Sequence, residues 1–122
     1  GEIIMEFMLT TVHVRDLAES VEFYQNILDL TEVKRLKPRP GVEIVFLKDE
    51  GGIIELIAGE EVENGTVSLG FKVENIEATL AELRAEEIEV LEGPIETPNG
   101  TKLAFFSDPN GVEIELIEGL VL

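Results

Sequence analysis

The stretch Ile54-Glu55-Leu56-Ile57 recurs as Ile114-Glu115-Leu116-Ile117 near the end of the chain. Upstream of each copy stands a second matching pair, Val14-Arg15-Asp16-Leu17 and Val73-Glu74-Asn75-Ile76, and each member of that pair leads into a helical pattern. Such self-similarity indicates duplicated structural units, which bury their apolar faces only together. The repeat therefore gives the glutamates of the two Ile-Glu-Leu-Ile stretches equivalent positions.

The repeat also determines the expected domain organisation. The chain has 122 residues, of which 44% are hydrophobic, and this is enough for one domain with its own core. We expect a single domain over residues 1–122, made of a repeat at 8–58, a repeat at 66–118 and an acidic connector at 59–65.

The first repeat reads as a strand, an amphipathic helix and three further strands. Asp16 is placed as the helix N-cap with Glu19 as its capping-box partner, and the helix is expected to end near Asp29. The buried face of this helix carries apolar residues at helical spacing, namely Leu17, Val21, Tyr24 and Leu28. Residues 1–7 form a short apolar arm of ambiguous structure. The predicted strands are 9–14, 32–37, 42–48 and 53–58, the second being stopped by the proline-rich turn at 38–41.

The second repeat has the same order of elements. Asn75 is the expected helix cap, and Ile76, Leu80 and Leu83 line the buried helix face. The predicted strands are 67–73, 88–91, 101–106 and 112–118, with a loop at 94–100. The expected fold class is α+β, with two tandem βαβββ modules forming a curved eight-stranded half-barrel with the helices outside.

The charge of the chain excludes several partners. With 26 acidic and 9 basic residues the net charge is −17, which opposes nucleic acid and anionic membranes and favours a cationic ligand. No apolar run is long enough to cross a membrane. The chain contains no cysteine, so disulfides, thiolate nucleophiles and Cys-ligated metals are absent, and cytoplasmic residence is the expected location.

Side-chain alternation predicts which residues face a shared cavity, because successive residues of a strand point to opposite sides. Val12 and Val14 are expected under the first helix, which leaves Leu9, Thr11 and His13 on the other face. The same argument applied to the remaining strands adds polar residues to that cavity, namely Ser68, Lys72, Glu55 and Glu115. The aromatic residues Phe46, Phe105 and Phe106 are expected mainly to fill the core. Polar groups converging in an apolar cleft predict a binding or catalytic site.

On these motifs the chain resembles the vicinal oxygen chelate superfamily, which includes glyoxalase I, methylmalonyl-CoA epimerase, extradiol dioxygenases and bleomycin-resistance proteins. The resemblance rests on Val14-Arg15-Asp16-Leu17 leading to Phe23-Tyr24, on Asp108-Pro109-Asn110-Gly111, and on the strand ending in Ile114-Glu115-Leu116. It covers residues 8–118 and implies the fold stated above.

The resemblance also implies a metal site with two ligands from each repeat. Its two last-strand ligands fall on Glu55 and Glu115, whereas the two first-strand positions hold Leu9 and Ser68. Leucine cannot bind a metal and serine is a poor ligand for zinc or nickel. Three interpretations stay open. The two glutamates hold a hard ion such as Mg²⁺, Mn²⁺ or Ca²⁺, or no metal binds and one carboxyl acts as acid or base. In the third, both are inherited sheet positions, hydrogen-bonded by Ser68, Lys72, His13 or water.

Two classes of function follow. The first is a glyoxalase-like lyase, isomerase or epimerase that acts alpha to a carbonyl of a small molecule, with Glu115, Glu55 and His13 as candidate catalytic residues. In this class Thr11, Ser68 and Lys72 line the ligand cavity. The second is a metal-free protein of the bleomycin-resistance type that sequesters a small ligand. In both classes we expect a homodimer, because open sheets leave edges that need cover.

Overall fold

The computed structural model describes residues 3–122, so the start of the predicted 1–7 arm, Gly1 and Glu2, lies outside the described residues. The elements are β1 Glu6–His13, α1 Leu17–Asn26, β2 Thr31–Arg39, β3 Val42–Lys48, β4 Ile53–Ala58, β5 Val67–Lys72, α2 Ile76–Ala85, β6 Glu92–Glu96, β7 Lys102–Ser107 and β8 Glu113–Glu118. This order is βαβββ twice over, which confirms the α+β class and the two modules. None of the helices in residues 3–122 is long and apolar enough to cross a membrane.

The N-terminal unit comprises Leu9–Val67. Its strands are hydrogen-bonded in the order β2-β3-β4-β1, with β1 parallel to β4 and the other pairs antiparallel. One face of this sheet packs against α1 through a buried cluster of Leu17, Val21, Val45, Leu47 and Leu56. Val12, Val14 and Ile54 pack against the same cluster, as the alternation predicts. The other face of the sheet is thereby left for Thr11 and Glu55.

The C-terminal unit comprises Ser68–Val121 together with the chain as far as Met8. Its strands follow the order β5-β8-β7-β6, with β5 parallel to β8 and antiparallel pairs beyond. The core under α2 consists of Val73, Ile76, Leu80, Leu83, Ala104 and Leu116. All three residues predicted for the buried face of α2 belong to this core.

Both predicted helix caps are confirmed. The Asp16 carboxylate accepts from the Glu19 amide at 3.0 Å, and the Asn75 side chain accepts from the Ala78 amide at 3.1 Å. These bonds satisfy amide groups that have no partner within the helix.

The first helix ends earlier than predicted. It stops at Asn26, and Asp29 has a φ of 59°, in the left-handed region that ends helices. Leu28 consequently lies past the helix and is 48% exposed, so its assignment to the buried face was wrong.

Two strand predictions were also wrong. Residues 88–91 form no strand, and β6 begins at Glu92 and includes Pro94. Ile88 and Val90 instead pack against the core under α2, which explains their apolar character without a strand. In the first repeat the prolines do not stop β2, which runs through Pro38 to Arg39. Proline is tolerated there because β2 is at the edge of its unit's sheet and its pairing is irregular between Leu36 and Arg39.

Removing either cap is expected to lower the free energy of unfolding by about 1 kcal/mol, because a helix amide loses its acceptor. We expect this result for Asp16→Ala and Asn75→Ala, measured by urea denaturation. Glu22→Ala, an exposed substitution inside α1, is the control and should change stability by less than about 0.5 kcal/mol. Equal effects of all three substitutions would contradict the capping assignment.

Candidate functional site

The candidate site of the N-terminal unit is built on a buried carboxyl group, that of Glu55 on β4. Thr11 on β1 lies directly opposite in the parallel register, so the two side chains share one face of the sheet. Thr11 Oγ1 donates a hydrogen bond of 2.6 Å to Glu55 Oε1. The two residues are only 4% and 8% exposed, respectively. The structure thus pairs two of the residues that alternation assigned to the cavity.

The environment of Glu55 favours its neutral form. Burial raises the pKa of this carboxyl because the ionised form loses its hydration. The hydrogen bond from Thr11 acts in the opposite direction, and the negative charge of Glu60 raises the pKa further. The net pKa shift is upward from the ordinary value of 4.5, which brings the carboxyl nearer to the range in which a group exchanges protons at neutral pH.

The same cross-strand row contains two residues that the sequence analysis did not assign to the site. Phe46 on β3 pairs with Glu55, and Lys34 on β2 pairs with Phe46. Phe46 is 1% exposed and helps to keep water from the carboxyl, whereas Lys34 is half-buried. No local sequence pattern identifies these two residues, because residues 34, 46 and 55 align only once the turns between the three strands are known.

His13 and Leu9 lie on the same strand as Thr11. His13 pairs with Ile57, two rows along the sheet from the Thr11–Glu55 row, and lines a cleft of about 210 Å³ at the N-terminus of α1. Leu9 is fully buried and contributes only apolar contact. His13 is thus on the same face as Thr11, at a spacing of two residues or about 7 Å along the strand.

The C-terminal unit places its candidate residues around Glu115. Gly70 on β5 and Phe105 on β7 flank this glutamate in the register, in the positions that Thr11 and Phe46 hold around Glu55. Ser68 is 2% exposed. Glu115 is half-buried.

Lys72 lies at the end of β5, at the surface. Its ammonium group lies 3.4 Å from a carboxylate oxygen of Glu6, and both side chains are more than half exposed. Such an exposed ion pair contributes little to stability.

The donor set does not fit the metal that the resemblance implies. In residues 3–122 no group of three or more His, Cys, Asp or Glu side chains could hold an ion. Leu9, at one of the implied ligand positions, is an aliphatic residue with no exposed surface. A carboxyl whose pKa is raised by burial prefers a proton, and Glu55 already accepts a hydrogen bond from Thr11. No step of the chemistry below is therefore assigned to a metal.

Replacing Thr11 by valine is expected to raise the pKa of Glu55, because the hydroxyl hydrogen bond is the interaction that favours the ionised carboxylate. Valine keeps the shape of threonine, so the carboxyl stays buried. The measurement is a pH titration of the ¹³C carboxyl signal of Glu55 by NMR. Thr10→Val, a substitution of the neighbouring residue on the opposite face of β1, is the matched control. An unchanged or lower midpoint in Thr11→Val would contradict the role given to Thr11.

A family model and curated relatives match this chain over most of its length. The family model of the Glyoxalase/Bleomycin resistance protein/Dioxygenase superfamily matches residues 7–116. A lactoylglutathione lyase of Haemophilus influenzae is 32% identical, over 93% of both chains. A probable lactoylglutathione lyase of Synechocystis is 29% identical, over 93% of this chain and 95% of that protein.

Solved structures share the fold at lower sequence identity. A hypothetical protein from Bacillus halodurans matches with a TM-score of 0.82 and 22% identity, over 97% of this chain and 96% of the other. Methylmalonyl-CoA epimerase from Mycobacterium tuberculosis matches with a TM-score of 0.77 and 19% identity, over 95% and 89% of the two chains. The family match covers nearly the whole chain, and the protein belongs to the Glyoxalase/Bleomycin resistance protein/Dioxygenase superfamily.

Proposed function

We propose that the protein is an enzyme of the lyase, isomerase or epimerase type that moves a proton at a carbon alpha to a carbonyl group of a small molecule. The observation that carries this proposal is the buried carboxyl of Glu55, held by Thr11 and shifted upward in pKa. A base for carbon acids is most effective when its pKa lies near the working pH and when water is kept from it.

The proposed reaction begins with the ionised form of Glu55. The carboxylate takes the proton from the α-carbon, and the electrons of the C–H bond move to the carbonyl oxygen to give an enolate. Glu55, now neutral, returns the proton. Epimerisation results when the enolate has turned its opposite face to Glu55 before the α-carbon is protonated. Isomerisation results when the former carbonyl carbon is protonated and the hydroxyl proton of the α-carbon passes to the enolate oxygen. His13, two residues along β1 from Thr11 on the same face, is the proposed hydrogen-bond donor to the enolate oxygen.

Glu115 is the second proposed acid–base residue. It is equivalent to Glu55 in the repeat and, like Glu55, is flanked in the register by a phenylalanine. Its other neighbour in the register is Gly70, so it lacks the counterpart of the Thr11 hydroxyl at that position. We therefore assign the principal role to Glu55 and include Glu115→Gln in the experiment below.

The similar proteins support this class of reaction. Two relatives with similarity over nearly the whole chain are named as a lactoylglutathione lyase and a probable one, and a solved structure of the same fold is named as a methylmalonyl-CoA epimerase. A small-molecule substrate fits the family. The glutathione-dependent substrate of the named lyases is not assigned to this protein, because Leu9 and Ser68 stand at the implied metal positions.

A homodimer in the cytoplasm is part of the proposal. Helix α1, the residue that follows it and the edge strand β2 carry exposed apolar side chains, of which Phe23 is 51%, Ile27 68% and Val33 42% exposed. Burying such residues against a second copy would remove apolar surface from water. A clean monomer on gel filtration at working concentration would contradict the dimer. The cytoplasmic location rests on the absence of cysteine.

The test of the proposed function is solvent-deuterium incorporation into dihydroxyacetone, followed by ¹H NMR with protein freed of metal by a chelator. We expect deuterium at the carbons next to the carbonyl at a rate above that of buffer, and a lower rate for Glu115→Gln. The same assay is repeated after adding Mg²⁺, Mn²⁺, Ca²⁺, Zn²⁺ or Ni²⁺ separately. Exchange that appears only with one of these ions would contradict the metal-free reaction. Ligand binding without exchange under any condition would support the sequestering protein instead.

A further inference from the structure

Basic residues are concentrated in one short segment of this acidic chain. The chain has 9 Lys and Arg residues and a net charge of −17. Four of the nine lie within residues 34–39 of β2, namely Lys34, Arg35, Lys37 and Arg39. The function proposed above gives no role to this cluster.

The two arginines of the segment are neutralised by carboxylates. The Arg35 guanidinium lies 2.9 Å from Glu32 and 3.2 Å from Glu43. Arg39 forms an ion pair with Glu60. Lys37, in contrast, is exposed and forms no ion pair with any residue in 3–122. The segment therefore has a surplus of positive charge centred on Lys37.

A cleft of about 580 Å³ opens beside this lysine. It is lined by the β2–β3 turn and the strand ends on either side, namely Lys37, Pro38, Arg39, Pro40, Gly41, Val42 and Glu43. Its volume lies in the range that holds small molecules in proteins. Two prolines restrict the backbone of the turn, so a ligand would lose less free energy in ordering it.

We propose that this cleft binds the anionic group of the substrate, a phosphate or a carboxylate, with Lys37 as the direct contact and Arg39 beside it. The proposal rests on the proposed function in that it narrows the substrate to an anionic carbonyl compound. At physiological ionic strength, charges more than about 8 Å apart are largely screened. The local cations therefore outweigh the distant acidic surface at this position.

The cleft also lies beside a charged residue that acts electrostatically on the candidate catalytic group, Glu55. Glu60 is the residue whose negative charge acts on Glu55, and Glu60 is the ion-pair partner of Arg39, which lines the cleft. An anion bound at Lys37 and Arg39 thus lies next to the Arg39–Glu60 ion pair, whose glutamate affects the pKa of Glu55. The cleft and Glu55 both lie in the N-terminal unit.

The first experiment measures binding alone. Inorganic phosphate and, separately, malonate are titrated into the full-length protein, with amide signals followed by NMR. We expect shifts at Lys37, Arg39, Gly41 and Val42, weakened at least about threefold in Lys37→Gln, as for an exposed charge pair. Lys48→Gln removes an exposed lysine at the other end of β3 and should bind like the wild type. Equal affinity in Lys37→Gln and wild type would overturn the proposal, and the response to only one ion would identify the anion.

The second experiment uses the substrate pair dihydroxyacetone phosphate and dihydroxyacetone in the deuterium assay. We expect a lower KM for the phosphate ester in the wild type and a loss of most of this preference in Lys37→Gln. No KM preference in the wild type would also overturn the proposal. If neither compound exchanges deuterium, the proposed function is wrong. The phosphate titration then still tests, independently of activity, whether the cleft binds an anion.

Discussion

Glu55→Gln is expected to reduce the rate of deuterium exchange into dihydroxyacetone by a factor of about 10² to 10⁴, the usual contribution of a positioned general base. Glutamine has nearly the same shape and can still accept the Thr11 hydrogen bond, but it cannot take a proton. The fold should therefore persist while the reaction is lost. Glu50→Gln alters an exposed residue of the β3–β4 turn in the same unit and serves as the matched control. Retention of more than about half of the wild-type rate in Glu55→Gln would remove Glu55 from the reaction.

The same substitution should change how stability depends on pH. The pKa of Glu55 is raised above 4.5, so the folded protein holds a proton that the unfolded chain releases. The contribution of this group to the free energy of unfolding is fully present below pH 4.5. It is lost as the pH rises through the folded-state pKa.

Glu55→Gln has no such proton to lose. The stability of the variant relative to the wild type should therefore increase from pH 4 to pH 7, as measured by urea denaturation at several pH values. Using the difference removes the effect of the other acidic residues, which both proteins share. A difference that stays constant with pH would show that the carboxyl titrates alike in the folded and unfolded states.

Gly59→Ala is expected to cause a loss of stability of more than about 3 kcal/mol, at the upper end of the usual range for single substitutions. Gly59 follows β4 and has a φ of 99°, in the region that favours glycine. A Cβ atom there would overlap the carbonyl oxygen of Gly41 in the β2–β3 turn. Because the obstacle is backbone, relief requires a shift of the turn that lines the Lys37 cleft.

The control for this prediction is Gly65→Ala. Gly65 also has a positive φ, 85°, but an added Cβ would meet nothing within 4 Å. Its substitution should lower the free energy of unfolding by only about 1 to 2 kcal/mol, because alanine disfavours the left-handed backbone conformation. Thermal and urea denaturation of both variants separate the two effects. Equal losses in the two variants would contradict the close approach of Gly59 and Gly41.

The sequence predicted those features of the fold that depend on local chemistry. Asp16 and Asn75 cap the helices because a short polar side chain followed by a helical apolar pattern admits few other structures. Strands 42–48 and 53–58 were predicted with their observed bounds. The wrong predictions are at positions where tertiary contacts determine the local structure. Ile88 is apolar because it packs against a helix core, and Pro38 remains in a strand because that strand is at an edge.

The candidate site was predictable only in part for a related reason. Alternation along single strands was enough to put Thr11 and Glu55 on one face, and the structure pairs them directly. The residues further along the row required the register of two hairpins, which the sequence does not specify. The ion pair between Arg39 and Glu60 joins residues 21 positions apart, and no local pattern indicates it.

The two repeats have kept their architecture and diverged in their chemistry. The positions around the two glutamates hold Thr11 and Lys34 in one unit, and Gly70 and Glu92 in the other. Duplication therefore predicts where a side chain lies and leaves its chemistry open. The hydroxyl that supports Glu55 has no counterpart at Gly70, which is why the reaction is assigned mainly to Glu55.

The most direct test of the central claim, that Glu55 is a buried proton-transfer group, is the titration of its carboxyl in the wild-type protein. The ¹³C carboxyl signal, assigned by its absence in Glu55→Gln, is followed by NMR from pH 3 to pH 9. A midpoint clearly above 4.5 is predicted, because burial and the charge of Glu60 outweigh the Thr11 hydrogen bond. A midpoint at or below 4.5 would contradict the account.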